Sequence, residues 1–270
     1  MIKITAGLGK NRNIIKASEI VNQDDNIEVN LVENERELID AIKNKDVDAV
    51  IRGSLAASNV IKSLKSENPS LKINRGTYIH SKDHEFLILP VGIDEGQSIE
   101  DKITLVEQGC EFLLKINKEP KIAILSGGRS DDFNRTKEID KTLKESQLIE
   151  KRLKSEFSKD ERFNNTTIKN YYILIEKAIK ENNNILLAPN GIIGNYIFRI
   201  LVLLCNWPSY GGITLGIDDF YIDTSRDQTT EGYVRILKFA ARLAENKKEN
   251  LYLNLLLFFL KKKNFLKLNI

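Results

Sequence analysis

Ile122-Ala123-Ile124-Leu125 runs directly into Ser126-Gly127-Gly128-Arg129. Four apolar residues without a polar break read as a strand covered on both faces, the kind found in parallel sheets. The paired glycines let the backbone turn sharply and approach a ligand closely. The same order recurs at residues 185–188, ahead of Pro189-Asn190-Gly191, and at 47–51, ahead of Arg52-Gly53-Ser54. Working outward, further strands are predicted at 2–6, 27–32, 86–90 and 213–217. Helices are predicted at 13–21, from Asn34 with Glu37 as a capping pattern, and at 58–66. Three more follow: from Ser98 with Asp101 to about Lys115, at 196–204, and at 231–244. Strands separated by helix-length segments define βαβ units, so the fold class is α/β with a mostly parallel sheet flanked by helices. Ligands of such sheets sit beyond the carboxyl ends of strands.

The segment 151–170 is charged and polar and reads as a solvated helix end and loop, or an insertion. In the tail, 251–260 is apolar apart from Asn254 and is followed by Lys261-Lys262-Lys263. It reads as a last helix packed on the body or an irregular extension, with a membrane-surface or partner-binding helix as the alternative. No apolar run reaches the roughly 18 residues of a transmembrane helix, and the first residues read as a strand, not a signal peptide.

With 270 residues and 41% hydrophobic content, the chain has material for one or two domains. Its 41 basic and 38 acidic residues leave a net charge of +3, too balanced to indicate nucleic acid. Cys110 and Cys205 form neither a disulfide framework nor a metal spacing, which fits a cytoplasmic protein. His80 and His84 are separated by four but lie between extended segments, where that spacing does not share a face, so no metal site is expected. Gly7-Leu8-Gly9 opens like a dinucleotide fingerprint, but Arg12 stands where the third glycine belongs.

Four turns carry candidate chemistry. Asp223-Thr224-Ser225-Arg226-Asp227-Gln228-Thr229-Thr230-Glu231-Gly232 joins a predicted strand to a predicted helix. Helix N-termini bind anions, and Arg226 adds a planar bidentate charge. Ser126, Gly127, Gly128 and Arg129 form a candidate anion nest, or a plain turn with solvated arginines. Asn190 and Asn195 flank a glycine turn as ligand contacts, or as a helix cap. Arg52 offers a guanidinium beside Gly53 and Ser54.

In their order along the chain, these motifs resemble the phosphate acetyltransferase and butyryltransferase family, with its isocitrate/isopropylmalate dehydrogenase-like fold. Within that group the chain most resembles the MtxX branch of methanogenic archaea, methanogenesis marker protein 4, which carries a methyltransferase label. The resemblance covers roughly residues 1–245. It implies two α/β lobes around a cleft: 1–95 with 216–246, then 96–215, followed by a tail at 247–270. It implies a transferase that moves an acyl group between coenzyme A and phosphate, with coenzyme A as substrate and no bound cofactor. Small anionic metabolites and a homodimer are the implied partners. Ser225 would donate to the developing oxyanion and Arg226 would hold phosphate or the acyl oxygen, the kind of fixed stabilisation that dominates acyl transfer. The family's aspartate base falls at Gly232, which leaves Glu231 as the nearest carboxylate. Two alternatives stay open: a methyltransferase or methyltransferase-associated protein of methanogenesis, and a non-catalytic anion-binding sensor or assembly protein.

Overall fold

The computed structural model describes residues 1–44, 46–56, 59–68, 70–81 and 83–267, with side chains described at all of these but 67, 250 and 252–267. Its strands are β1 (Ile2–Gly7), β2 (Ile27–Val32), β3 (Ala49–Ile51), β4 (Asn74–His80), β5 (Glu85–Leu89), β6 (Lys121–Leu125), β7 (Thr167–Tyr172), β8 (Ile185–Leu187), β9 (Ser209–Leu215) and β10 (Phe220–Asp223). The helices are α1 (Asn13–Val21), α2 (Glu35–Asn44), α3 (Val60–Glu67), α4 (Ile99–Lys115), α5 (Lys137–Phe157), α6 (Ile175–Lys180), α7 (Gly191–Phe198) and α8 (Thr230–Lys267). A π-helical segment, Arg199–Leu204, continues α7.

All ten strands form one sheet in the order β2-β1-β3-β10-β9-β4-β5-β8-β6-β7. The outer strands pair in parallel within each half, whereas β10-β9, β9-β4 and β4-β5 are antiparallel. Three successive reversals make the two parallel halves run in opposite directions. Local caps start the helices where the sequence indicates. Ser98 Oγ accepts from the Asp101 N–H, and Asp101 accepts from the Ser98 N–H, both at 3.1 Å. Asn34 accepts from the Glu37 N–H at 3.0 Å.

The two faces of the sheet are covered unequally. On one face α1, α8, α4 and α5 form a continuous apolar layer against Ile4, Ile51, Ile222, Tyr78, Leu87 and Leu187. On the other, α2 and α3 cover Val50 and Tyr221 at one end, while α6 and α7 cover Phe86, Ile88 and Leu186 at the other. Side chains alternate along a strand, so Arg52, Thr77 and Asp223, next to the buried Ile51, Tyr78 and Ile222, face the uncovered middle. That gap is the cleft.

Three strands depart from the sequence reading. The Asp223 turn follows β10, a four-residue strand absent from the sequence assignment, and β9 is its hairpin partner. β4 also escaped notice. The polar segment 151–170 is not an insertion: α5 continues to Phe157, and Thr167 begins the sheet's edge strand β7. The predicted start of the third helix at Ser58 lies outside the described residues. The tail continues α8 as helix to Lys267, and 268–270 lie outside the described residues. Among the described residues, no helix is long and apolar enough to cross a membrane.

Candidate active site

The floor of the cleft is built where β3 and β10 end and β4 begins. Arg52 Nε lies 2.8 Å from Asp223 Oδ1. That contact lacks hydrogen-bond alignment, so neither atom has a hydrogen-bond partner. Arg75 Nη1 lies 4.0 Å from Asp223 Oδ2, and Arg75 Nε donates to Glu95 at 3.2 Å. Arg52 Nη2 donates to the Thr224 carbonyl, and Thr224 Oγ1 donates to the Gly53 carbonyl at 2.8 Å. Burial pushes the Asp223 carboxyl above its ordinary value, and the two arginines pull against that shift.

Glycine geometry makes these loops meet. Gly53 has a φ of +62°, and a Cβ there would stand 2.0 Å from the Gly7 carbonyl oxygen. The crossing is tied by Ser54 N–H to Gly7 O at 3.0 Å. Ser54 Oγ also accepts from Gly9 N–H and donates to Asn11 O. Asn11 Nδ2 in turn donates to the carbonyls of Arg226 and Gln228. Tyr233 OH donates to the Ser225 and Arg226 carbonyls at 3.1 and 3.2 Å, and burial raises its pKa to about 12. The Asp223–Gln228 turn is therefore held from below, while Ser225 Oγ accepts from the Asp227 N–H at 3.3 Å and keeps its own proton to donate.

Above this floor lies a cavity of about 840 Å³, within the range of small-molecule sites. Its far wall is apolar, made by Val91, Ile93, Phe198, Val202, Leu203 and Trp207. A second hollow of about 660 Å³ shares Arg52, Arg75, Asp94 and Asp223 and adds Lys62, Lys65, Glu95 and Asp101. The arginine–aspartate cluster thus separates two hollows, each lined by as many acidic as basic side chains.

Of the residues singled out from the sequence, Arg52, Asn195 and Ser225 line the cavity. Asn195 donates to the Val91 carbonyl at 3.0 Å. Arg226 and Glu231 are exposed beside the turn and do not line it. Asn190 caps α7, accepting from the Ile193 N–H at 3.0 Å. Ser126, Gly127, Gly128 and Arg129 lie apart from the cavity wall. Three of their amides are already engaged: Ser126 N–H donates to Tyr172 O at 2.9 Å, Gly127 N–H to Thr142 Oγ1 at 2.9 Å, and Arg129 N–H to Asp132 at 2.7 Å. Position 232 holds no carboxylate, and the Gln228 side chain packs over it. Arg75 was missed by the sequence reading, although a signal existed: the chain's two Arg-Gly pairs are Arg52-Gly53 and Arg75-Gly76.

The architecture is that of phosphotransacylases and of the isocitrate/isopropylmalate-like dehydrogenases. A branched-chain phosphotransacylase from Enterococcus faecalis superposes with a TM-score of 0.68 over 90% of this chain and 99% of that one, at 16% identity. A 4-hydroxythreonine-4-phosphate dehydrogenase from Klebsiella pneumoniae gives 0.60 over 90% and 100%, at 9% identity. At such identities the likeness concerns the fold alone. Sequence similarity goes further. The chain is 36% identical over 248 residues, 88% of its own length and 97% of the relative's, to a protein of Methanocaldococcus jannaschii named an uncharacterized methyltransferase. It is 39% identical over 193 residues, 71% of its length and 66% of the relative's, to a Methanosarcina mazei protein named for methyltransferase mtx subunit X. The chain belongs to this mtx subunit X family of methanogen proteins. No family model matches it.

Proposed function

We propose that the cleft holds a phosphate-bearing or otherwise anionic ligand and transfers an acyl group between a coenzyme A thioester and phosphate. The observation that carries this reading is the pair of guanidiniums, Arg52 and Arg75, gathered on one carboxylate beside Ser225 and facing an apolar wall. Each guanidinium carries five N–H donors, more than Asp223, Glu95 and the Thr224 carbonyl take up, and guanidinium suits phosphate geometry. The apolar wall suits the acyl group. In the forward step a phosphate oxygen attacks the thioester carbonyl, the C–S bond breaks, and coenzyme A leaves as thiolate. Ser225 O–H donates to the carbonyl oxygen as it gains charge. With glycine at 232, the thiol proton is exchanged with Asp223, the buried carboxyl on the cleft floor whose pKa is raised.

The test is release of free thiol from acetyl- or butyryl-coenzyme A. The expected result is turnover that requires phosphate and falls at least roughly 100-fold in Arg52→Ala, Ser225→Ala and Asp223→Asn. No thiol release with either thioester, or release indifferent to phosphate, overturns the reading. A second reading rests on the relatives' methyltransferase names: transfer of a methyl group from a donor seated in the same cleft. Phosphate-independent consumption of a methyl donor would favour it. Thermal stabilisation by phosphate or coenzyme A with no turnover of any donor would instead mark a sensor.

A further inference from the structure

A third guanidinium lines the cleft, away from the Arg52–Arg75 pair. Arg235, on the second turn of α8, is half-buried and shares its stretch of wall with Trp207, Pro208 and Ser209. Its Nε donates to the Ser209 carbonyl at 3.4 Å. Among the described residues it forms no ion pair, and no group accepts from its two terminal nitrogens. Arg52 and Arg75, by contrast, both stand against Asp223. The other two carboxylates of the wall, Asp94 and Asp227, are exposed to solvent. A guanidinium taken partly out of water without a counter-charge is costly. Its open N–H fork matches a carboxylate bidentately. Ser209 adds a hydroxyl at the same place, since its Oγ accepts from the Gly211 N–H at 3.2 Å and keeps its own proton to donate.

Strand β9 measures the separation of the two charged ends. Gly212 pairs with Asp223, and Ser209, three residues earlier, holds Arg235. At 3.3 Å or so per strand residue, these anchor points are at most roughly 10 Å apart. We propose that Arg235 binds a carboxylate at the far end of the acyl group, so that the ligand class is a thioester whose acyl chain ends in a carboxylate. The thioester end rests on the transfer reading above, with phosphate at Arg52 and Arg75; the carboxylate end stands on Arg235 itself. The apolar wall takes the methylenes between them.

Calorimetric titration of the full chain without phosphate tests this, comparing succinyl- with butyryl-coenzyme A. The two acyl groups have the same number of carbons and differ in the terminal carboxylate. The expected result is at least roughly tenfold tighter binding of the succinyl thioester to the wild type. Arg235→Gln brings the two affinities within about twofold of each other by weakening the succinyl thioester, and Arg235→Lys, which keeps the charge, falls between. Equal affinities in the wild type, binding of neither thioester, or a preference that survives Arg235→Gln overturns the proposal. Should the variants not fold, phenylglyoxal labelling of wild-type arginines, mapped by mass spectrometry, decides it. Succinyl-coenzyme A protects Arg235 at least twofold better than butyryl-coenzyme A does, and equal protection overturns the proposal. Thiol release is not read in these measurements, so the two readings fail separately. Phosphate-dependent release with equal affinities overturns the carboxylate assignment alone, and a tenfold preference without release overturns acyl transfer alone.

Discussion

The Asp223–Gln228 turn and the Ser126–Arg129 loop look alike in sequence, since each follows an apolar strand and offers small or polar residues with an arginine. They differ in where their hydrogen bonds go. The Ser126 loop turns inward, with the Gly127 and Arg129 amides taken by Thr142 and Asp132, and Arg135 paired with Asp132 at 2.8 Å. The Asp223 turn is braced from behind by Asn11 and Tyr233, which take its carbonyls and leave Ser225 and the two guanidiniums facing the cavity. Glycine and arginine make a loop eligible for anion binding. Unspent donors aimed into a cavity are what make it a site.

The comparison breaks most visibly at the glycines. Gly53→Val forces a β-branched residue into positive φ against the Gly7 carbonyl, so it should cost roughly 3 kcal/mol or more and lower the calorimetric melting temperature by several degrees. In Gly127→Ala the new Cβ stands 3.0 Å from the movable Thr142 side chain, and the loss should stay near about 1 kcal/mol or less. Equal losses at both positions would erase the distinction between a crossing built on backbone and a loop built on side chains.

Anion binding gives the next contrast. Arg75→Ala should weaken binding of phosphate or coenzyme A, measured calorimetrically, by roughly tenfold or more. Arg129→Ala should leave it within about twofold, in keeping with an exposed surface charge.

The pH dependence sharpens the picture of the floor. Burial raises the Asp223 carboxyl in the folded chain, so the folded state binds its proton more tightly than the unfolded state does. That contribution to stability is full below the unfolded value near 3.8 and is lost as pH rises through the raised folded value. Asp223→Asn should therefore gain stability relative to the wild type as pH rises through that window. A melting-temperature difference that does not change with pH would sink the assignment. The smallest effect belongs to Asn190→Ala, which should cost about 1 kcal/mol in melting experiments through loss of the α7 cap, with no change in anion affinity.

Elements with an unbroken local pattern were legible in the sequence. The helix at 13–21 and the strand at 27–32 match their observed bounds, and the Ser98–Asp101 box begins α4 as read. The strands that went unseen are those whose residues answer to something other than a core. β4 carries Arg75 and Thr77 to the cleft, β10 ends in Asp223 after only three apolar residues, and β7 lies at the sheet edge with mostly polar side chains. Hydrophobic periodicity is weakest where a strand serves a site or an edge.

Alternation of apolar strands and capped helices was enough to establish the α/β class, because those preferences act over a few neighbouring residues. Which turns share a cavity was decided only in three dimensions. Arg52, Arg75 and Asp223 meet because β3, β10, β9 and β4 lie side by side in an order the chain does not follow, and because the helices leave that part of one face bare. Whether a loop's amides are spent on itself or free for a ligand depends on hydrogen bonds between distant residues, and no short stretch of sequence records them.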